Sequence, residues 1–225
     1  MTNPRAATPK TIGLGADLHE YLLAHSTPIS TVQRDLIAAT SALGSIAGMQ
    51  IAPEQGAFMT MLTRLLGVRT AVEVGTFTGY SALCIAQGLA TGGRLLCCDV
   101  SEEWTSIARE HWQRAGIADR IDLRIAPALD TLRTLPETEH IELAFIDADK
   151  PNYPHYYDEI IPRLSRNGVL LVDNVMWSGR VIAADANDES TVAIRAFNDK
   201  VVNDPRVECV MLPISDGLTM IRRVS

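Results

Sequence analysis

Two short runs in the 225-residue chain end in groups able to do chemistry. Leu143-Ala-Phe-Ile-Asp-Ala-Asp-Lys150 places Asp147 and Lys150 behind four apolar residues, and Val169-Leu-Leu-Val-Asp-Asn174 repeats the form with Asp173 and Asn174. Four apolar residues in a row read as a strand buried on both faces. Open α/β sheets keep their chemistry where such strands leave the sheet. If the two strands are parallel neighbours, Asp147, Asp173 and Asn174 converge at one sheet edge. Two carboxylates and an amide carbonyl are hard oxygen ligands, too few to enclose Ca²⁺ but enough to hold Mg²⁺ while leaving positions for water and substrate. Taken singly, each acid reads equally well as a cap of the next helix or turn. The repetition of the form on two strands favours a site.

A third run, Ala71-Val-Glu-Val-Gly75-Thr-Phe-Thr-Gly79-Tyr-Ser81, is a strand, a glycine-punctuated turn and a helix start. It lacks the G-x-G-x-x-G turn that seats a pyrophosphate on a helix N-terminus. Its glycines are spaced G-x-x-x-G and Glu73 stands just before them. A carboxylate there repels phosphate and suits an amino group or a sulfonium, which points to S-adenosylmethionine. Asp99 ends the next strand, 24 residues after Gly75, where an acid can accept from both ribose hydroxyls. Its other reading is a cap for the helix beginning at Ser101.

The elements that must position these residues are legible from periodicity. Strands are expected at 70–75, 94–99, 121–125, 141–147, 169–173, 207–212 and 217–223. Helices are expected at 79–90, 102–115, from 128, at 153–164 and at 190–203. Regular alternation of the two predicts a doubly wound, mostly parallel sheet. Pro213-Ile-Ser-Asp216 is too short for a crossover, so the last two strands must form an antiparallel hairpin. Before the first strand, extra N-terminal helices are expected at 17–25, from a Ser30/Gln33 capping box to Leu43, and from Pro53 to a stop at Gly67. Residues 1–48 are read as an arm and helices covering the cleft, and 49–225 as the catalytic core of a single-domain chain. Met49, Tyr153 and Trp177, with Met176, fall near the expected cleft and could line an aromatic-substrate pocket. Each reads equally as core or rim.

Composition excludes several classes. Twenty Lys+Arg against 27 Asp+Glu give a net charge of -7, which disfavours nucleic acid and anionic membrane as partners. The N-terminal ten residues carry no apolar leader, and no apolar stretch reaches membrane-spanning length. A cytoplasmic protein with a small-molecule partner is the expectation. Cys84, Cys97, Cys98 and Cys209 form no C-x-x-C pair, so zinc and a disulfide framework are disfavoured and buried reduced thiols are expected.

Glu-Val-Gly-Thr-Phe-Thr-Gly-Tyr-Ser at 73–81, Phe-Ile-Asp-Ala-Asp-Lys at 145–150, Leu-Val-Asp-Asn-Val-Met-Trp at 171–177 and Leu-Pro-Ile-Ser-Asp-Gly-Leu-Thr at 212–219 together resemble the cation-dependent O-methyltransferases of caffeoyl-CoA and catechol type. The resemblance runs from about Met49 to the C-terminus. It implies a Rossmann-like class I methyltransferase with seven strands, commonly a homodimer. It also implies roles for individual residues. The methionine part of the cofactor falls on Glu73, Gly75 and Ser81, with Phe77 and Gly79 shaping the loop. The ribose falls on Asp99, the adenine near Ala128, with Ile51 alongside, and Asp147 touches both cofactor and metal. Asp147, Asp173 and Asn174 become ligands of Mg²⁺ (or Mn²⁺ or Ca²⁺), and Lys150 the general base that also meets substrate. The chain has Ala126 where the family often has Gly, and its first 48 residues match too loosely to carry over an acyl-donor site.

The expected activity is methyl transfer from S-adenosylmethionine to one hydroxyl of a vicinal dihydroxy aromatic, catechol-like or caffeoyl-type. A neutral phenol is a poor nucleophile at neutral pH, so a metal to acidify it and a base to take its proton are what the reaction requires. Two alternatives stand beside this reading. One is a metal-independent methyltransferase whose acids cap helices, and the other a non-catalytic nucleotide-binding module.

Overall fold

The computed structural model describes residues 12–224, so most of the expected N-terminal arm lies outside the described residues. The first described elements are helices α1 (Ala16–Ala24), α2 (Thr31–Ser41) and α3 (Pro53–Leu66). Ser30 and Gln33 form the expected capping box at the start of α2. Pro53 opens α3, and Gly67 closes it in the left-handed conformation that Gly adopts without a Cβ clash. Alternation follows: β1 (Thr70–Val74), α4 (Tyr80–Gly88), β2 (Arg94–Asp99), α5 (Glu102–Arg114), β3 (Ile121–Ile125), α6 (Ala128–Arg133), β4 (Ile141–Ile146), α7 (Tyr153–Ile160), β5 (Leu164–Val172), α8 (Glu189–Val202), β6 (Val207–Leu212) and β7 (Leu218–Arg223).

The seven strands form one sheet in the order β3-β2-β1-β4-β5-β7-β6. Only β7 runs antiparallel, pairing with β5 and β6, as the short connection at 213–216 requires. The chain winds from β1 towards β3 and then returns to β4, which lies on the other side of β1. This reversal opens a crevice above the C-terminal ends of β1 and β4, the place where doubly wound sheets bind ligands.

Side chains of the strands alternate between two cores. Ala71, Leu95, Cys97, Leu143, Phe145 and Leu171 face a layer containing Leu36 of α2, Met59 of α3, Leu83 of α4 and Trp112 of α5. Val72, Val74, Cys98, Ala144, Ile146 and Val172 face Leu132 of α6, Tyr157 of α7 and Phe197 of α8. Adjacent Cys97 and Cys98 therefore point to opposite faces. Cys84, Cys97 and Cys98 are free and buried, whereas Cys209, expected inside, is exposed on the edge strand β6. Helix α2 is tied to α4 and its loop by Gln33 Nε2 donating to Cys84 Sγ (3.4 Å) and Thr40 Oγ1 donating to Thr78 Oγ1 (2.8 Å). Helix α1 buries none of its residues and meets α3 through His19 Nε2 and Glu54 Oε1 (3.0 Å).

Two boundaries differ from expectation. Helix α7 stops at Ile160 and a 3₁₀ turn, Ile161–Arg163, carries the chain into β5, which begins at Leu164. The Ser165-Arg-Asn-Gly168 stretch has turn composition and lies inside β5 as an irregularity of the ladder: Ile141 pairs with Leu164 and Leu143 with Val169, so the register shifts across these four residues. Among the described residues, no helix is long and apolar enough to cross a membrane.

Candidate active site

The register fixes where the acids fall. Ile146 is paired with Val172, and each following residue makes one more ladder bond: Asp147 N donates to Val74 O (2.9 Å) and Asp173 N to Ile146 O (3.0 Å). Asp147 and Asp173 therefore leave the sheet side by side. Asn174 then turns sharply with φ 57°, a conformation Asn tolerates better than most residues, and its N–H donates to Asp173 Oδ1 (2.8 Å). The three residues expected to converge do converge.

Lys150 sits among them. Its Nζ donates to Asp147 Oδ1 (3.1 Å), Asn174 Oδ1 (2.6 Å), Ala148 O (3.0 Å) and Tyr153 Oη (2.7 Å), and it lies 5.5 Å from the ring centroid of Trp177. Lys150 is 8% exposed and Asp173 2%. Burial raises both carboxyls above the usual range. Asp147 is opposed in this by Lys150, and Asp173, with Asp147 adding repulsion, is pushed up to about 7. Two carboxylates, one buried and one half-buried, facing one ammonium leave the site short of positive charge. Among the described residues, no three His, Cys, Asp or Glu side chains are grouped to hold a metal. The donor set at this edge is thus two carboxylate groups and one amide oxygen, and it fits an oxygen-seeking divalent cation that keeps water or substrate in its shell.

These residues form one wall of a cavity of about 1250 Å³ above β1 and β4. Met49, Ile51, Gly75, Phe77, Ser81, Asp99, Ala128, Asp147, Lys150, Asp173, Asn174 and Trp177 all line it. The loop after β1 is built against the acids: a Cβ on Gly75 (φ +88°) would lie 1.9 Å from the Asp147 carbonyl oxygen. Gly79 (φ +82°) starts α4 from below the wall, its carbonyl accepting from Trp112 Nε1 (3.0 Å). Asp99 holds the same loop from the other side. Its Oδ2 accepts from Thr76 N (2.9 Å) and Phe77 N (2.7 Å), and its Oδ1 from Ser101 N (2.8 Å). Each carboxylate oxygen has two lone-pair positions, so one position on Oδ1 remains for a ligand hydroxyl, where the sequence reading expected two.

Two expected contacts are displaced. Glu73 is fully buried beneath the loop and is absent from the cavity wall. Its Oε2 accepts from Thr76 Oγ1 (3.0 Å) and Cys97 Sγ (3.5 Å), its Oε1 has no partner, and burial pushes its carboxyl up to about 8. The reason is register: on β1, Glu73 falls on the face that packs against α4. Tyr153 is likewise fully buried, underneath Lys150 and not beside the substrate space, with its ring edge-on to Phe197. The wall also includes residues that the sequence reading passed over: Asp149, which accepts from Tyr156 Oη (2.6 Å), Trp104, edge-on to Phe77, and Asp216. Asp216 stood in a motif already singled out, and only the hairpin's return towards Ser178, whose N–H it accepts, brings it to the site.

Comparison with known proteins decides the class of the molecule. A family model described as O-methyltransferase matches residues 24–224. The chain belongs to the O-methyltransferase family. It is accordingly a methyltransferase that uses S-adenosylmethionine, as the resemblance implied. A probable caffeoyl-CoA O-methyltransferase 1 of Dictyostelium discoideum is 37% identical over 209 residues, covering 91% of each chain. A caffeoyl-CoA O-methyltransferase of Mesembryanthemum crystallinum is 37% identical over 187 residues, 79% of this chain and 74% of that one. Among solved structures, an O-methyltransferase of Bacillus cereus in complex with SAH aligns with a TM-score of 0.84 at 30% identity, covering 92% of this chain and 97% of that one.

Proposed function

We propose that this O-methyltransferase moves the methyl group of S-adenosylmethionine to one hydroxyl of a vicinal dihydroxy aromatic, with a divalent cation, Mg²⁺ first among the candidates, held by Asp147, Asp173 and Asn174. The observation that carries the reading is the convergence of the buried Asp173 carboxylate, the half-buried Asp147 carboxylate, an amide oxygen and a lysine amine on one wall of the cavity. When bound, such a cation supplies electrophilic charge that acidifies a coordinated hydroxyl and fixes its orientation.

The chain's own residues account for the rest. Gly75 and Ser81 present the loop after β1 to the methionine end of the donor, Asp99 offers one remaining acceptor position to a ribose hydroxyl, and Ala128 and Ile51 bound the space beyond. Glu73 acts from beneath the loop, through Thr76. Lys150, in its neutral amine form after giving up a proton to solvent, stands where it can take the proton of the acceptor hydroxyl, and Trp177 and Met49 give the acceptor an apolar wall. Holding donor and acceptor in one cavity supplies the in-line geometry that displacement at a methyl group requires. The caffeoyl-CoA relatives support a phenolic acceptor. We also read the protein as a cytoplasmic homodimer, with residues 1–48 as an accessory segment to the core at 49–225.

The test is methyl transfer from labelled S-adenosylmethionine to a panel of matched catechols and monophenols. Label on catechols alone is the expected result. Equal labelling of monophenols would remove the need for two neighbouring oxygens and overturn the reading.

A further inference from the structure

Lys150 has more partners than protons. Its ammonium carries three hydrogens, yet four oxygens lie within 3.1 Å of Nζ: Asp147 Oδ1, Asn174 Oδ1, Ala148 O and Tyr153 Oη. Two of the four are side-chain groups assigned above to a divalent cation. A cation that takes Asp147 and Asn174 sets Lys150 against it, because two positive groups cannot share the same oxygens at hydrogen-bond distance without strong repulsion. The amine then depends on its two other partners. Ala148 O is a backbone carbonyl. Tyr153 Oη is a side chain fixed on every side: the residue is fully buried, its ring is edge-on to Phe197 at 5.6 Å, and its hydroxyl donates to Asp173 O (3.3 Å) while accepting from Lys150.

We propose that Tyr153 is the positioning residue of Lys150, retaining the amine at the acceptor's side of the site when a divalent cation takes Asp147 and Asn174. Tyr153 touches neither substrate nor donor and acts through the lysine alone. The inference rests on the proposed cation site. It also makes Lys150 a competitor of the cation for two of its ligands, with Tyr153 tilting the competition towards the cation by drawing the amine away.

The test is calorimetric titration of Mn²⁺ into four proteins, wild type, Tyr153→Phe, Lys150→Met and the double variant, together with turnover of Tyr153→Phe. Lys150→Met should bind Mn²⁺ more tightly than wild type. Tyr153→Phe should bind it about fivefold more weakly, the worth of one hydrogen bond, because the amine falls back on Asp147 and Asn174. The double variant should regain the affinity of Lys150→Met, a recovery that a merely structural tyrosine would not give. Turnover of Tyr153→Phe should fall about tenfold at saturating Mn²⁺ with the KM for acceptor unchanged, since only the base is misplaced. Weak Mn²⁺ binding persisting in the double variant, or wild-type turnover in Tyr153→Phe, would overturn the inference. Absence of Mn²⁺ binding in the wild type would instead sink the cation site beneath it. Should Tyr153→Phe fail to fold, the comparison of wild type with Lys150→Met decides: equal affinity in the two refutes the competition.

Discussion

Replacing Asp99 by Ala should damage the loop before it damages the chemistry. The carboxylate accepts three backbone N–H groups, those of Thr76, Phe77 and Ser101, and Phe77 is held with φ 51°, a conformation that costs a non-glycine residue about 1 kcal/mol or more. Bonds to a charged acceptor are worth about 1.5–3 kcal/mol each, and the full desolvation penalty falls only on groups that water cannot reach. The loop N–H groups border the cavity and can be rehydrated, so we take the lower figure for two of them and expect a loss of about 3 kcal/mol of stability. Affinity for S-adenosylhomocysteine should fall by about 1–3 kcal/mol, between fivefold and somewhat over a hundredfold, from the missing ribose acceptor and the loosened loop together. Asp99→Asn separates the two effects. Its remaining oxygen can still take Thr76 and Phe77, so it should keep most of the stability while losing ligand affinity. Urea unfolding and calorimetry with S-adenosylhomocysteine measure both quantities. Wild-type stability and affinity in Asp99→Ala would refute the assignment of this carboxylate to the loop and to the ligand alike.

Glu73→Gln tests whether that buried acid is a contact or a support. Its folded value near 8 lies above the ordinary 4.5, so the native state holds a proton that the unfolded chain releases. The stability this contributes is complete below about pH 4.5 and is lost as pH rises through 8. Gln cannot ionise, so the variant should gain on wild type by up to about 4 kcal/mol between pH 5 and 9, with S-adenosylhomocysteine affinity within about threefold, the range of one weak contact. Parallel stability curves would contradict the burial argument, and a large affinity loss would restore the direct contact. Gly75→Ala should cost about 3 kcal/mol or more, because a Cβ would overlap the Asp147 carbonyl oxygen and φ is positive. A stable variant with intact catechol methylation would mean that the loop and the β4 end are not packed as described.

The strands, their mostly parallel arrangement, the hairpin and the cleft were legible because buried parallel strands write themselves as apolar runs and because charge resumes where they end, whereas the strand order had to come from the structure. Asp147, Asp173 and Asn174 could be placed together for the same reason: two runs of one form, paired in parallel, must deliver their last residues side by side. What could not be read was which way a side chain turns once it is next to the site. Glu73 and Tyr153 lie within a residue or two of cavity-lining positions, yet the alternation along β1 turns one inward and the first turn of α7 turns the other under Lys150. Motif spacing carries no signal for that. The length of β5 was hidden for a different reason, since Ser165-Arg-Asn-Gly168 has the local preference of a turn and is carried within the strand as a register shift between the β4 pairings of Leu164 and Val169. Asp216 reaches the wall through the return of the terminal hairpin, which one sequence cannot trace, whereas Asp149 stood inside the 143–150 run and was passed over.

The cation is the centre of the account, and a Mg²⁺ titration of chelator-treated enzyme, assayed by methyl transfer to a catechol, tests it most directly. Wild type should be inactive after chelation and recover with added Mg²⁺. Asp147→Ala and Asp173→Ala should stay at least about a hundredfold below wild type at any Mg²⁺, because one carboxylate is too little charge to draw Mg²⁺ from its waters. Asn174→Ala, which loses only a neutral oxygen that water can replace, should recover part of its activity at high Mg²⁺. Full activity of the chelated wild type, or of Asp173→Ala, would contradict the claim and leave the acids at the two strand ends with a structural role alone.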